Sequence, residues 1–415
     1  MKESRGAVGL HDPSFELLTV ADLVERQIIE RPIDGNHGEI HPKTSDFVSE
    51  GVPFLMASDI RNGLVDYANC ARITSRQADS LRKGFAKNGD VLLTHKATIG
   101  ETAIVAYHGH AYVMLTPQVT YYRVKRPDVL NNRYLKYYFD SSFFQQTLSL
   151  WAGAGSTRAY LGITEQHRLP IVLPPIEAQK KLAAIIAAYD DLIANNQRRI
   201  ALLESTAEEI YREWFVRLRF PGAASSKFLR GIPIEWSLRK LGTVLELRYG
   251  KALPEEARTP GEYPVYGSSG IVGTHNEALV KSPGLIVGRK GNVGSVYLSD
   301  RPFYPIDTAY YVVSELPSPF LLYLLRSMNF INNDAAVPGL NRAQAYANEF
   351  YMPTDALIRQ FASVTSPFFD SQRILREENK RLVSMRDALL PRLISGKLRV
   401  DHLDIRFPPS MQDAA

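Results

Sequence analysis

The stretch that decides the fold is residues 174–222, PPIEAQKKLAAIIAAYDDLIANNQRRIALLESTAEEIYREWFVRLRFPG. Steps of four and three from Leu182 pass through Ile186, Tyr189, Ile193, Asn196, Ile200, Leu203, Ala207, Ile210 and Trp214. All but Asn196 are apolar or aromatic, and the alternation never slips. That period is a heptad seam on one helix. Pro174-Pro175 marks its start and Pro221-Gly222 its end. At 1.5 Å per residue the helix is a rod of roughly 60 Å, about three times an ordinary globular helix.

The same steps recur 182 residues later, through Val364, Phe368, Ser371, Leu375, Glu378, Leu382, Met385, Leu389 and Arg392. Asn196 aligns with Glu378, a polar residue at the same seam position in both copies; such a residue costs stability and specifies register. The second helix is expected to end near Gly396. The globular parts repeat more loosely. Gly89-Asp90-Val91-Leu92-Leu93-Thr94-His95-Lys96, followed by Gly100, resembles Pro283-Gly284-Leu285-Ile286-Val287-Gly288-Arg289-Lys290, followed by Gly294. Each reads as a strand ending at a basic residue and a glycine turn. Tyr121-Tyr122 matches Tyr310-Tyr311, and Gly155-Ser156-Thr157-Arg158 matches Gly339-Leu340-Asn341-Arg342. The expected architecture is α+β: two globular modules, each followed by a long helix, the helices pairing as an antiparallel coiled coil with a pseudo-twofold repeat. The expected boundaries are 1–175 for the first module, 176–216 for its helix, 217–232 for a linker, 233–353 for the second module, 354–398 for its helix and 399–415 for a tail. The competing reading is a tandem of unrelated domains with incidental coiled coils.

Composition narrows the class. The chain has 415 residues, of which 45% are hydrophobic, enough for two or three domains with their own cores. No apolar run approaches the ~20 residues of a membrane span, and the opening MKESRGAVGL lacks an apolar signal segment. Cys70 is the single cysteine, which excludes internal disulfides and cysteine zinc clusters. A cytoplasmic protein fits these features. The net charge is +5, and residues 217–353 hold 15 Lys/Arg against 11 Asp/Glu while residues 1–175 hold 19 against 18. That excess permits a polyanionic partner without requiring one.

Catalytic signatures are missing. No Gly-x-x-x-x-Gly-Lys-Ser/Thr phosphate loop, no Gly-x-Ser-x-Gly elbow and no clear dinucleotide-binding glycine loop occurs. Leu173-Pro174-Pro175-Ile176 and Phe407-Pro408-Pro409-Ser410 both fail the Asn/Asp-Pro-Pro-aromatic pattern of DNA amino-methyltransferases. Glu378-Asn379-Lys380 has a nuclease-like spacing but lies inside the second heptad helix. His108-Gly109-His110 lacks an acidic or cysteine partner at ligand spacing, so no metal is expected. The reading is a chain that is not an enzyme and needs no cofactor.

Binding chemistry is present instead. In the second module, Lys251, Ser268, Arg289, Lys290 and Asn292 sit among glycine-rich turns. Glycine permits close backbone approach, and Arg, Lys and Asn donate to phosphates and base edges. In the first module the candidates are Arg61, His95, Lys96 and Arg158. Ligand-free glycine hairpins explain the same pattern equally well. Two heads on a long rod suit half-sites about one DNA turn, ~34 Å, apart.

This layout resembles the specificity subunit of type I restriction-modification systems, from about Leu17 to Leu398. The most specific stretch is Leu169-Pro170-Ile171-Val172-Leu173-Pro174-Pro175-Ile176-Glu177-Ala178-Gln179, which is similar to the family's proline-rich lead-in to the first helix. Ala178 separates the Glu and Gln that are usually adjacent, and the second copy, Tyr351-Met352-Pro353-Thr354-Asp355, is more degenerate. Pro264-Val265-Tyr266-Gly267-Ser268-Ser269-Gly270 and Val287-Gly288-Arg289-Lys290-Gly291 also look like strings of the family's second module. The resemblance implies that each module is a target recognition domain reading one half of a split sequence in double-stranded DNA, and that the helices set the spacer. It also implies partners: two methyltransferase subunits that supply S-adenosylmethionine chemistry, and restriction subunits that supply ATP-driven translocation and cleavage. The alternatives are a DNA methyltransferase or nuclease with a divergent active site, and a coiled-coil adaptor that binds only proteins.

Overall fold

The computed structural model describes residues 10–153, 159–330 and 339–412. The chain forms two compact units, residues 1–194 with 379–415, and residues 195–378. Each unit is a head plus one stretch of paired helix, so the units cut across both long helices.

In the first unit, β1 (Glu16–Thr19) runs into α1 (Val20–Glu25), where Thr19 and Asp22 cap each other's backbone N–H. Next come β2 (Ile33–Asp34), β3 (Val52–Leu55), β4 (Ala71–Ile73), β5 (Phe85–Ala86), β6 (Val91–Lys96), β7 (Thr98–Ile104), β8 (Val113–Leu115) and β9 (Val119–Tyr122). They build two four-stranded sheets, ordered β2-β9-β6-β7 and β4-β3-β8-β5. The first is antiparallel throughout; in the second, β3 and β8 run parallel. Helices α2 (Asn132–Asp140) and α3 (Ser142–Trp151) begin where the side chains of Asn131 and Ser141 accept the N–H of Tyr134 and Phe144. They bury Tyr134, Tyr138, Phe139 and Phe144 against Tyr122 of β9. The short α4 (Ile163–Gln166) leads to β10 (Pro170–Leu173), which pairs antiparallel with β1. Pro174-Pro175 then opens α5 (Ile176–Tyr211).

The second unit repeats this plan with fewer strands. Its strands are β11 (Ser237–Lys240), β12 (Glu246–Tyr249), β13 (Tyr263–Gly267), β14 (Gly270–His275), β15 (Gly284–Gly288), β16 (Val296–Ser299), β17 (Tyr304–Pro305) and β18 (Ala309–Val313). They form an antiparallel sheet β12-β18-β15-β16 and a smaller sheet β14-β13-β17, whose β13 and β17 are parallel. Helix α6 (Ser318–Ser327) covers the core, α7 (Arg342–Ala347) follows, and β19 (Glu349–Met352) pairs antiparallel with β11 before α8 (Asp355–Ile394). Counterpart sheets and ribbons occur in the same order in both heads, which settles the tandem as a true repeat. Aligning β6 with β15 by their partners pairs Tyr121 with Tyr311 and Thr120 with Tyr310. The expected match of Tyr121-Tyr122 with Tyr310-Tyr311 is therefore off by one residue, because both tyrosine pairs are locally indistinguishable without the cross-strand register.

The long helices pair antiparallel. In the first unit Leu182, Ala183, Ile186 and Ala187 share a core with Leu390, Leu393 and Ile394, and Asp190 holds Arg386 at 2.8 Å. In the second unit Ala207 and Tyr211 pack with Ile358 and Phe361, and Asn196 donates to Glu378 at 3.3 Å. Partner numbers fall along α8 as they rise along α5. None of the seam positions read on α5 is exposed. On α8 the seam differs from expectation. Phe361, Phe368, Leu375, Leu382 and Leu389 lie on the packed face, but the positions between them are Thr365, Gln372, Asn379 and Arg386. Val364 is 40% exposed and Met385 53%. The physical reason lies in satisfied polar groups: Thr365 donates back to the Phe361 carbonyl, Asn379 to Ile193 and Arg386 to Asp190. Gly396, at φ +72°, ends the helix where a left-handed residue closes the last turn.

Candidate nucleic-acid interface

The two heads share a local frame at the C-terminal end of their central strand. In the first, His95 N–H donates to the Gln118 carbonyl, Leu161 N–H donates to the His95 carbonyl, and Lys96 bridges to Tyr160. In the second, Arg289 N–H donates to the Thr308 carbonyl, Leu340 N–H donates to the Arg289 carbonyl, and Lys290 bridges to Gly339. His95 thus corresponds to Arg289, Lys96 to Lys290 and Tyr160 to Gly339. Gly35 and Gly250 end the outer strands of these sheets in the same way. A Cβ at either would collide with the main chain at Leu115–Thr116 or Pro305–Ile306, so only glycine allows the approach. This frame corrects one expected match: Arg342 aligns with Ile163, not with Arg158. Backbone bonds, not the shared Gly-x-x-Arg spacing, set the correspondence. Arg158 itself lies outside the described residues.

In the second head the expected residues gather at one end of the sheets. Lys251 is exposed and its N–H donates to the Pro305 carbonyl. Ser268 and Ser269 form the turn between β13 and β14. Ser268 is buried, and its carbonyl accepts from the Ser295 hydroxyl at 2.6 Å. Asn292 Nδ2 donates to the Ser269 hydroxyl at 3.4 Å, tying that turn to the one after β15. Arg289 Nε donates to the Asp307 carbonyl at 3.0 Å, and its guanidinium lies 5.2 Å from the Tyr249 ring and 5.9 Å from the Tyr310 ring. Lys290 is exposed beside it. Two residues complete the group that the sequence reading did not choose. Tyr249 is half-exposed, and the guanidinium of Arg342 lies 4.5 Å from its ring. Together they line an open cleft of about 420 Å³. Interleaved aromatic and basic residues at strand ends were the available signal, but Tyr249, Arg289 and Arg342 are far apart in the chain. A second open depression of about 460 Å³ holds Glu262, Asp300 and Glu377 against Arg301 and Arg373. There Arg301 is bound by Asp300 and Glu377, and the acidic excess disfavours a polyanion.

The first head places its candidates differently. His95 is fully buried, so a solvent-facing contact to DNA is incompatible with its position. Its Nδ1 lies 3.0 Å from the Leu161 carbonyl, which defines Nδ1 as the protonated nitrogen, and its Nε2 has no hydrogen-bond partner among the described residues. Burial pushes its pKa down to about 4, so the ring is neutral near pH 7. The Tyr160 ring packs against it, tilted by 46° with centroids 5.6 Å apart, and its centroid lies 5.9 Å from the Lys96 ammonium. Lys96 is exposed. Arg61 is exposed on a separate hairpin, where its Nε donates to the Ser58 carbonyl at 3.1 Å and the next residue, Asn62, donates to Glu101. Among the described residues no group of three or more His, Cys, Asp or Glu side chains is placed to hold a metal ion.

Two heads of one topology, each leading through a strand ribbon into a long helix and carrying basic and aromatic groups at matched strand ends, define a recognition scaffold. The family described as "Type I restriction modification DNA specificity domain" matches residues 34–205 and 233–353, and the chain belongs to that family, whose members recognise DNA and are not themselves catalytic. A type I restriction enzyme MjaIX specificity subunit of Methanocaldococcus jannaschii is 24% identical over 401 residues, spanning 87% of this chain and 90% of the relative. The MjaVIII specificity subunit of the same organism is 22% identical, over 61% of this chain and 67% of the relative. The crystal structure of a type I restriction-modification S subunit from M. genitalium shares the fold at 14% identity, with a TM-score of 0.52 over 91% of this chain and 96% of that one.

Proposed function

We propose that this chain is the DNA-reading subunit of a cytoplasmic type I restriction-modification complex. Each head reads one half of a bipartite duplex site, the paired helices set the unspecific spacer, and two methyltransferase subunits dock on the scaffold together with restriction subunits. The observation that carries this reading is one backbone frame used twice with different side chains at matched positions: His95 for Arg289, Tyr160 for Gly339. A repeat kept for stability alone gives no reason for unlike side chains at these matched positions, whereas two readers of different half-sites need a common fold and unlike surfaces. No helix among the described residues is long and apolar enough to cross a membrane.

The test is methylome sequencing of the host with and without this gene. The expected result is a split adenine-methylation motif that disappears on deletion. A contiguous motif, or an unchanged methylome, overturns the proposal. The chain alone, given labelled S-adenosylmethionine and DNA, is expected to transfer no methyl group; transfer would restore the divergent-methyltransferase reading.

A further inference from the structure

We propose that the cleft between Arg289, Tyr249 and Arg342 is a seat for one backbone phosphate of the DNA, present in the second head and closed in the first. This rests on the DNA-reading function above. Two guanidiniums share one tyrosine ring, at 5.2 and 4.5 Å. Neither makes an ion pair with a carboxylate among the described residues; Arg289 donates to the Asp307 carbonyl and Arg342 to the Leu247 carbonyl. The negative face of the ring offsets part of their repulsion. An anion placed between them offsets the rest, whereas a neutral base edge does not. A single arginine suffices to fork onto a guanine; two converging on one exposed ring match the charge of a phosphodiester.

The first head shows what closing this seat requires. Cross-strand register places Asp34 where Tyr249 stands, since Asp34 pairs with Thr120 as Tyr249 pairs with Tyr310. Neutral His95 replaces Arg289, and Ile163 replaces Arg342. Tyr160, in place of Gly339, lays its ring over the strand end. Asp34 is held by His37 at 2.8 Å and by Lys83. The matched location therefore carries a buried, paired carboxylate, no guanidinium and an aromatic cover, and it offers an anion no pair of guanidiniums.

The experiment measures binding of the full-length chain, wild type and Arg342→Ala, to duplexes carrying the split motif or a scrambled one, across a range of salt. The expected result is that Arg342→Ala weakens both duplexes by the same factor and lowers the salt slope by about 0.9, one phosphate contact. Arg342→Lys retains most of the slope. Methylphosphonates placed singly along the second half-site should reveal one position that weakens the wild type and leaves Arg342→Ala unaffected. An altered base preference in the second half-site, or an unchanged slope with every methylphosphonate costing both proteins equally, overturns the seat. Saturable micromolar binding of inorganic phosphate without DNA would assign the cleft to a free anion instead. Loss of discrimination between the two duplexes by the wild type would sink the DNA-reading function itself, a distinct outcome.

Discussion

At the end of β6, His95 occupies a position that in the other head belongs to a cation. Its Nδ1–H is used by Leu161, its Nε2 has no partner among the described residues, and burial depresses its pKa to about 4. The unfolded chain binds a proton on this residue near pH 6.5. Between about pH 6.5 and 4 the unfolded state thus holds more protons than the native one. The resulting stability is fully present above pH 6.5 and is lost as pH falls through that window. The slope is at most about 1.4 kcal/mol per pH unit, roughly 3 kcal/mol across the window. His95→Gln should remove this dependence from the unfolding transition of the first unit, and an imidazole signal titrating near 4 should vanish with it. A wild-type resonance that is lost in His95→Gln but titrates near 6.5 would contradict the buried neutral tautomer. Lys96 and Lys290, by contrast, are exposed at matched positions, and there the basic residue can serve both heads alike.

The long helices show how periodicity informs and misleads. On α5 the apolar steps identify the face that packs, because alanine, isoleucine and leucine dominate it. On α8 the apolar steps pick Val364 and Met385, while the packed face takes Thr365, Gln372, Asn379 and Arg386 between its leucines and phenylalanines. Thr365, Asn379 and Arg386 donate on their own helix or across the seam, and burying polar groups that are satisfied costs little. Gln372 accepts from Arg376 through its amide oxygen, while its amide nitrogen has no partner among the described residues. A hydrophobic count cannot register a hydrogen bond to a residue nearly two hundred positions away. The two seams make opposite predictions for single substitutions. Leu375→Ala, at a residue 4% exposed, should cost about 2–5 kcal/mol. Met385→Ala, at 53% exposed, should change stability by about 0.5 kcal/mol or less. Denaturant unfolding of each variant decides the matter, and comparable losses at both positions would return Met385 to the interface.

At the scale of the whole molecule, the repeat was legible because its parts are local: a strand ending in Lys-turn, a proline lead-in, a heptad helix. What the sequence left open joins distant residues, such as Tyr249 to Arg342 or the cross-strand register that pairs Asp34 with Tyr249. The organisation into two units that each contain half of both helices was equally invisible, since Asp190 meets Arg386 only after the chain has folded back. That arrangement has a consequence for the proposed spacer. Because both helices cross from one unit to the other, their length can change only in concert. A heptad inserted in α5 at Asn196, and another in α8 at Glu378, adds two turns to each and preserves the alternating seam. Seven residues add about 10.5 Å, equivalent to about three base pairs at 3.4 Å each. A host whose complex carries the doubly inserted chain should show a methylated motif with both half-sites intact and a spacer about three base pairs longer, read by methylome sequencing. The same insertion in α5 alone shifts every later seam contact by two turns and should abolish methylation. If the double insertion leaves the spacer unchanged, the helices do not set it, and the half-sites are spaced by the heads or by the docked subunits.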